Sequence, residues 1–136
     1  MKKLLLFIIL PSFAFSQSWD QASNFIGDGR HHPITFSNEN YGFVISGSYL
    51  DDVYKYDKLN DTWSQLQNIP FTGRGYAYAV AINNKAYIGF GSTSNGVYPT
   101  DWWEYDMNND VWSQKANFPG DGRQHPAMVV VNNKIY

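Results

Sequence analysis

The sequence predicts an all-β protein built from one repeated unit, and two recurring motifs carry that prediction. A Trp-x-Gln motif occurs three times, at spacings of 44 residues (Trp19 to Trp63) and 49 residues (Trp63 to Trp112). A Gly-Arg pair follows each Trp at one fixed offset: Gly29-Arg30, Gly73-Arg74 and Gly122-Arg123. Self-similarity at such a period is typical of repeat architectures. The segments between the motifs have strand and turn signals and no helical periodicity.

Each period contains signals for four short strands. In the second period, Gly75 to Ile82 and Lys85 to Gly91 predict a hairpin around Asn83-Asn84, because Asn accepts the positive φ of a tight turn. Third strands are predicted at Asp52 to Asp57 and at Asp101 to Asp106, and the Trp segment forms the fourth. A four-stranded unit with this period is typical of one blade of a β-propeller.

The chain after residue 16 is therefore divided by its repeats. The expected parts are a terminal strand (17–26), a first repeat (27–70), a second repeat (71–119) and an incomplete third repeat (120–136). Two complete blades cannot close a ring of about four to eight. We therefore expect an N-terminal fragment of a longer protein, whose partners include the missing C-terminal blades of the same chain. The alternative is a short chain that closes by oligomerising.

The order of motifs within a period resembles the kelch repeat. Gly-Arg is followed by the Asn-Asn hairpin, by a Tyr ahead of two glycines (Tyr87 to Gly91), and by a Tyr-Asp pair with a Trp seven residues after its Tyr. The family's contiguous Gly-Gly doublet is replaced by Gly89-Phe90-Gly91 in one copy and by Ile45-Ser46-Gly47 in the other. The resemblance implies a partial kelch-type β-propeller of the exported bacterial type.

The first 16 residues resemble a signal peptide. Lys2-Lys3 precedes the apolar run Leu4 to Leu10, and Ala14-Phe15-Ser16 is a small-x-small cleavage site. Cleavage after Ser16 would leave Gln17 first. A membrane anchor is the alternative, but about 20 apolar residues are needed to span a bilayer. The sequence predicts an exported protein of the periplasm, outer surface or medium, with no membrane span after signal removal.

Composition excludes several classes of partner and site. Loss of Lys2 and Lys3 with the signal takes the formal net charge from −2 to −4, and no basic stripe is present. Nucleic-acid binding is therefore not expected. Without cysteine the chain has no disulfide and no thiolate metal site.

The three arginines, Arg30, Arg74 and Arg123, are the only ones in the chain and share one offset of the repeat. The resemblance places them near the mouth of the central channel, where planar donors suit an acidic ligand. The favoured alternative is structural, with each arginine bonding carbonyls or an Asp of the neighbouring blade.

Two histidines also share an offset. His32 and His125 match, Tyr76 replaces them in the middle period, and His31 is an extra residue. Propellers that resemble galactose oxidase bind copper through His and Tyr, but no cysteine for that family's cross-linked Tyr is present, so no metal is predicted. Hydrogen bonding at a strand edge is the default expectation for both. Trp102, with Trp103, Tyr98 and Tyr105, could form an aromatic platform for sugars, although packing is favoured for most of them.

No nucleophile elbow, phosphate loop or Ser-His-Asp order is present. We therefore expect a binding or interaction module with a protein or carbohydrate ligand at the propeller mouth and no cofactor. The candidate ligand-binding residues are Arg30, Arg74, Arg123, His32, His125 and Trp102. The alternative is an enzyme resembling N-acetylneuraminate epimerase (a sialic-acid mutarotase) or galactose oxidase, with most catalytic residues outside this fragment.

Overall fold

The computed structural model describes residues 19–136, and the predicted signal segment with its cleavage site lies outside the described residues. Every regular element between residues 19 and 136 is a β-strand. No helix among the described residues is long and apolar enough to span a bilayer.

The first sheet is an antiparallel meander of four strands in chain order, β1 to β4. Its strands are β1 (Ile34–Ser37), β2 (Tyr41–Ile45), β3 (Val53–Asp57) and β4 (Thr62–Gln65). Short turns join the strands, and Asp57 Oδ1 accepts hydrogen bonds from two backbone amides of the turn that leads into β4. Such Asx turns are what the Asp and Asn residues after the third strand predict.

The second sheet repeats the first, and short strand pairs lie beside it. Its elements and neighbours are β5 (Arg74–Gly75), β6 (Tyr78–Ile82), β7 (Lys85–Gly89), β8 (Ser92–Thr93), β9 (Trp102–Asp106), β10 (Val111–Lys115), β11 (Val130–Val131) and β12 (Lys134–Ile135). The sheet order is β6-β7-β9-β10, while β5 pairs with β8 and β11 pairs with β12.

The predicted strands and turns agree with these elements, with two differences. The predicted third strands end where β3 and β9 end, and the Asn hairpins have positive φ at Asn83 and at both Asn132 and Asn133. The predicted strand from Gly75 to Ile82 is interrupted, because Tyr76 has a φ of 60° and separates β5 from β6.

The predicted terminal strand is the second difference. Residues 19–26 contain no strand, and the side chain of Trp19 is fully exposed. A strand needs a hydrogen-bonded neighbour, and no described strand pairs with this segment. Its role in completing a blade stays a prediction.

The core lies between the two four-stranded sheets. Phe36 and Phe43 of the first sheet pack together, and Tyr105 of the second sheet meets their rings edge-on at centroid distances of 5.8 and 5.4 Å. Ile45 and Ile88 are fully buried. Because each sheet buries one face on the next, the sheets depend on one another for stability.

A backbone contact joins successive units at the Gly-Arg position. The amide of Gly47 donates to the carbonyl of Arg74 (3.0 Å), and the amide of Gly91 donates in the same way to the carbonyl of Arg123 (2.8 Å). The preceding glycine allows this approach: a Cβ on Gly73 would overlap the carbonyl oxygens of Tyr49 and Leu50.

We expect Gly73→Ala to lower the free energy of unfolding by about 1–3 kcal/mol, because the added methyl group meets backbone atoms that cannot move aside easily. Gly29→Ala is the matched control, since at the same repeat position nothing lies within 4 Å of the place that the added Cβ atom would occupy. Urea denaturation of both variants checks this. Equal effects of the two changes would contradict the close sheet-to-sheet contact.

Candidate ligand-binding site

The guanidinium of Arg74 is buried and fully engaged within its own unit. Its Nη1 and Nη2 donate to the two carboxylate oxygens of Asp101 at 2.8 and 2.9 Å. Nη1 also donates to the carbonyl of Phe90, and Nε to that of Thr72, both at 3.2 Å. The side chain is 1% exposed. Such a two-pronged pair fixes both partners in one geometry.

The pair sets the ionisation of Asp101. Burial alone would raise the pKa of Asp101, but hydrogen bonds from Arg74 and from the indole of Trp103 outweigh burial and hold this pKa below its usual value. Asp101 is therefore a carboxylate at neutral pH, and it neutralises the guanidinium beside it.

Arg30 repeats this arrangement in the first unit. It donates to Asp52 through Nη1 (2.5 Å) and Nη2 (2.9 Å) and to the carbonyl of Ser46 (3.1 Å). The hydrogen bond to Asp52 raises the pKa of Arg30 above its usual value, although burial by itself would lower that pKa. The Asp directly before β3 or β9 is thus the partner of the arginine in the same unit.

Arg123 differs from the other two. It is exposed, and its guanidinium lies 5.8 Å from the ring of Phe118 while Nε donates to the carbonyl of Asp121 at 3.4 Å. In the earlier units the paired Asp lies 22 and 27 residues after the Arg. Counted from Arg123, a position 22 to 27 residues further along lies beyond residue 136.

These contacts correct the sequence-based interpretation of the arginines. Arg30 and Arg74 do not present their guanidiniums to a ligand, because bidentate ion pairs hold them inside the sheets. The structural alternative predicted hydrogen bonds to carbonyls or to an Asp of the neighbouring blade. Arg30 and Arg74 do bond to carbonyls and to an Asp, but that Asp belongs to the same unit as the arginine. The link to the neighbouring unit is made by the main chain of Arg74, whose amide and carbonyl both bond to Ser46 Oγ at 2.8 Å.

Two residues after each arginine, the chain places a side chain in a shared cluster. The ring of Tyr76 lies 4.0 Å from that of His32 and 4.9 Å from that of His125, between centroids, and the two imidazoles are 5.6 Å apart. The common offset of these residues is visible in the sequence. The three rings lie close together only because successive units stack on one another.

Two further residues complete what we call the His–Tyr cluster, defined as His31, His32, Tyr49, Tyr76 and His125. The Nδ1 atoms of His31 and His32 are 3.0 Å apart, and the ring of Tyr49 lies 6.5 Å from that of His31. Four members are exposed to solvent, and Tyr76 is half-buried. Sequence reasoning missed Tyr49, which lies in a loop. Its counterpart in the second unit, Tyr98, lies three residues before Asp101 as Tyr49 lies three before Asp52, and that recurrence could have marked the position.

The backbone of the cluster is strained at the repeated position. His32, Tyr76 and His125 have φ values of 51°, 60° and 51°, in the left-handed region that is uncommon for bulky residues. The amide of His125 donates to the carbonyl of Tyr76 at 3.0 Å, which ties the strained positions of two units together. Strain of this kind costs about 1–3 kcal/mol per residue and concentrates at functional sites.

The default expectation of strand-edge hydrogen bonding is wrong for His32 and His125. Among the described residues neither ring bonds to a strand edge, because the left-handed backbone turns the chain just before the first strand of each unit and both rings join the cluster. A cavity of about 170 Å³ opens beside them, lined also by Pro33, Thr35 and Tyr76. No three His, Asp or Glu side chains between residues 19 and 136 are arranged to hold a metal ion.

The predicted aromatic platform is not assembled at this cluster. Trp102 packs on Phe90 at a centroid distance of 5.5 Å, and Trp103, on the opposite face of β9, packs on Phe71 at 5.2 Å. The ring of Tyr105 is buried in the core, and that burial, with a hydrogen bond to Asp110, raises its pKa. Trp102 lines a separate apolar cavity of about 660 Å³ that reaches Tyr136.

Comparison with known proteins gives a fold and no family. No family model and no curated protein matches the chain. Among solved structures, YjhT superposes with a TM-score of 0.67 at 21% sequence identity, over 78% of this chain and 33% of that one. The chain thus spans about a third of the length of YjhT. Together with the successive antiparallel four-stranded sheets, this likeness shows a β-propeller-like fold.

We expect Arg74→Lys to lower the free energy of unfolding by about 1–3 kcal/mol, because Lys keeps the charge but leaves buried acceptors without donors. Arg123→Lys is the control and should change stability by less than about 0.5 kcal/mol, since Arg123 is exposed. Thermal melts of both variants measure the difference. An unchanged melting temperature for Arg74→Lys would contradict the structural role.

The same pair predicts a pH dependence. Because the folded pKa of Asp101 is lowered, its contribution is complete above about pH 4 and is lost as the pH falls through the folded value. The Arg74→Lys protein should therefore lose less stability than the parent protein over that acid range.

Proposed function

We propose that this chain is part of an exported kelch-type β-propeller that acts as a binding module, with a protein or carbohydrate ligand at the His–Tyr cluster. The observation that carries the proposal is the cluster itself. One repeat position supplies a ring from each of three units, in a strained conformation, to one solvent-facing cavity. Convergent polar groups at a cavity are the usual form of a ligand site.

The kelch assignment is supported by the backbone where the family has its glycine doublet. Ser46 and Gly47 have φ values of 52° and 81°, and Phe90 and Gly91 have 65° and 89°. Ser46 and Phe90 thus adopt a conformation that glycine adopts without cost. The recurring Arg–Asp pair and the two complete four-stranded sheets are consistent with two blades and the start of a third.

The enzyme alternative would employ arginines at the channel mouth. Arg30 and Arg74 are occupied by Asp52 and Asp101, so the binding role is the one that the geometry favours. Export rests on the signal-like segment of residues 1–16 and is part of the same proposal.

The double variant His32→Ala/His125→Ala tests the proposal. Both side chains are exposed, so we expect the melting temperature to change little and ligand capture from arrays of immobilised glycans and peptides to fall about ten-fold or more. The variant Leu59→Ala, which removes an exposed apolar side chain in the turn between β3 and β4, should bind as the parent does. Undiminished capture by the double variant would overturn the proposal.

A further inference from the structure

The cavity beside the His–Tyr cluster has no Lys, Arg, Asp or Glu side chain in its lining. The cavity is lined by His32, Tyr76, His125 and uncharged residues in and directly before β1 and β6. The guanidiniums of Arg30 and Arg74 are each matched by one carboxylate at hydrogen-bond distance, and the exposed Arg123 lines the separate cavity of about 660 Å³. No carboxylate, ammonium or guanidinium in the cavity lining is therefore available to pair with a charged ligand.

The side chains that remain available are amphipathic. A phenol and a neutral imidazole each both donate and accept hydrogen bonds, and their ring faces are apolar. The main-chain groups beside them are already used, since the carbonyl of His31 accepts from Ser48 and that of Tyr76 accepts from His125. A ligand at this place would therefore meet ring faces and ring heteroatoms.

The size of the cavity limits the ligand further. Its volume of about 170 Å³ is below the roughly 300–1,000 Å³ typical of pockets for drug-sized ligands. It accommodates a single small ring and not a helix or an extended peptide segment. A hydroxylated six-membered ring has the matching pattern of apolar C–H faces and alternating donors and acceptors at its edge.

Resting on the proposed function, we infer that the cavity at the His–Tyr cluster binds one uncharged pyranose ring, stacked on Tyr76 and hydrogen-bonded by the imidazoles of His32 and His125. Charged sugars and peptides are the alternatives that the test distinguishes.

The test is calorimetric titration at pH 8 with neutral methyl hexopyranosides and with the corresponding uronates. We expect the neutral glycosides to bind more tightly than the uronates, with an affinity that changes less than about two-fold between low salt and roughly 0.5 M salt. Tyr76→Phe keeps the ring and should stay within about three-fold of the parent, while Tyr76→Leu should lose about ten-fold. Thermal melts of both variants establish that they are folded.

Other results overturn the inference without ambiguity. If the uronate binds more tightly than the neutral glycoside, and its affinity falls as the salt concentration rises, the ligand is acidic and the inference is wrong. Binding of peptides but of no glycoside, still lost in His32→Ala/His125→Ala, would refute the sugar and leave the proposed function standing. Binding that the double variant keeps would refute both.

Discussion

The contact between the Gly-Arg segment of one unit and the loop after the second strand of the unit before it determines the rest of the structure. At the Ser46–Arg74 junction, two backbone groups of Arg74 bond to one hydroxyl, and the carbonyl also accepts from the amide of Gly47. The side chain of the same residue is anchored in its own sheet by Asp101. One residue therefore fixes a unit internally and joins it to its neighbour, which is why its burial and pairing matter. A buried guanidinium without its carboxylate would destabilise the fold strongly.

This contact also positions the candidate site. The residue two places after each arginine comes just after the junction in the chain. The scaffold, and not a flexible loop, therefore sets its position at one end of the sheets. His32, Tyr76 and His125 adopt left-handed backbone there, and the hydrogen bond from His125 to Tyr76 helps to hold them. The strained backbone conformation persists because the surrounding sheets hold these residues in place. Site and scaffold thus share one segment of the repeat.

Much of the fold could be predicted because the repeat can be recognised in the sequence. The recurrence of the Trp, Gly-Arg and Asn-Asn motifs predicts the strand order and the hairpin turns, and β3, β7 and β9 lie where that register places them. The break at Tyr76 could not be predicted, because no Gly or Asn marks the positive φ there. The partner of Arg74 was assigned wrongly, since a shared offset says which positions correspond but not toward which sheet a long side chain turns. Asp52 and Asp101 do recur at one offset, and that signal could have identified the pair.

The central claim is that stacking of successive units brings one repeat position of each into a single cluster. Nuclear Overhauser effects between the ring protons of His32, Tyr76 and His125, measured on the folded protein with selectively labelled His, Tyr and Phe, test it most directly. Ring centroids 4.0 to 5.6 Å apart should give strong cross-peaks for all three pairs. Their absence, with the Phe43–Tyr105 core contact still detected, would show that the sheets stack but the cluster does not form.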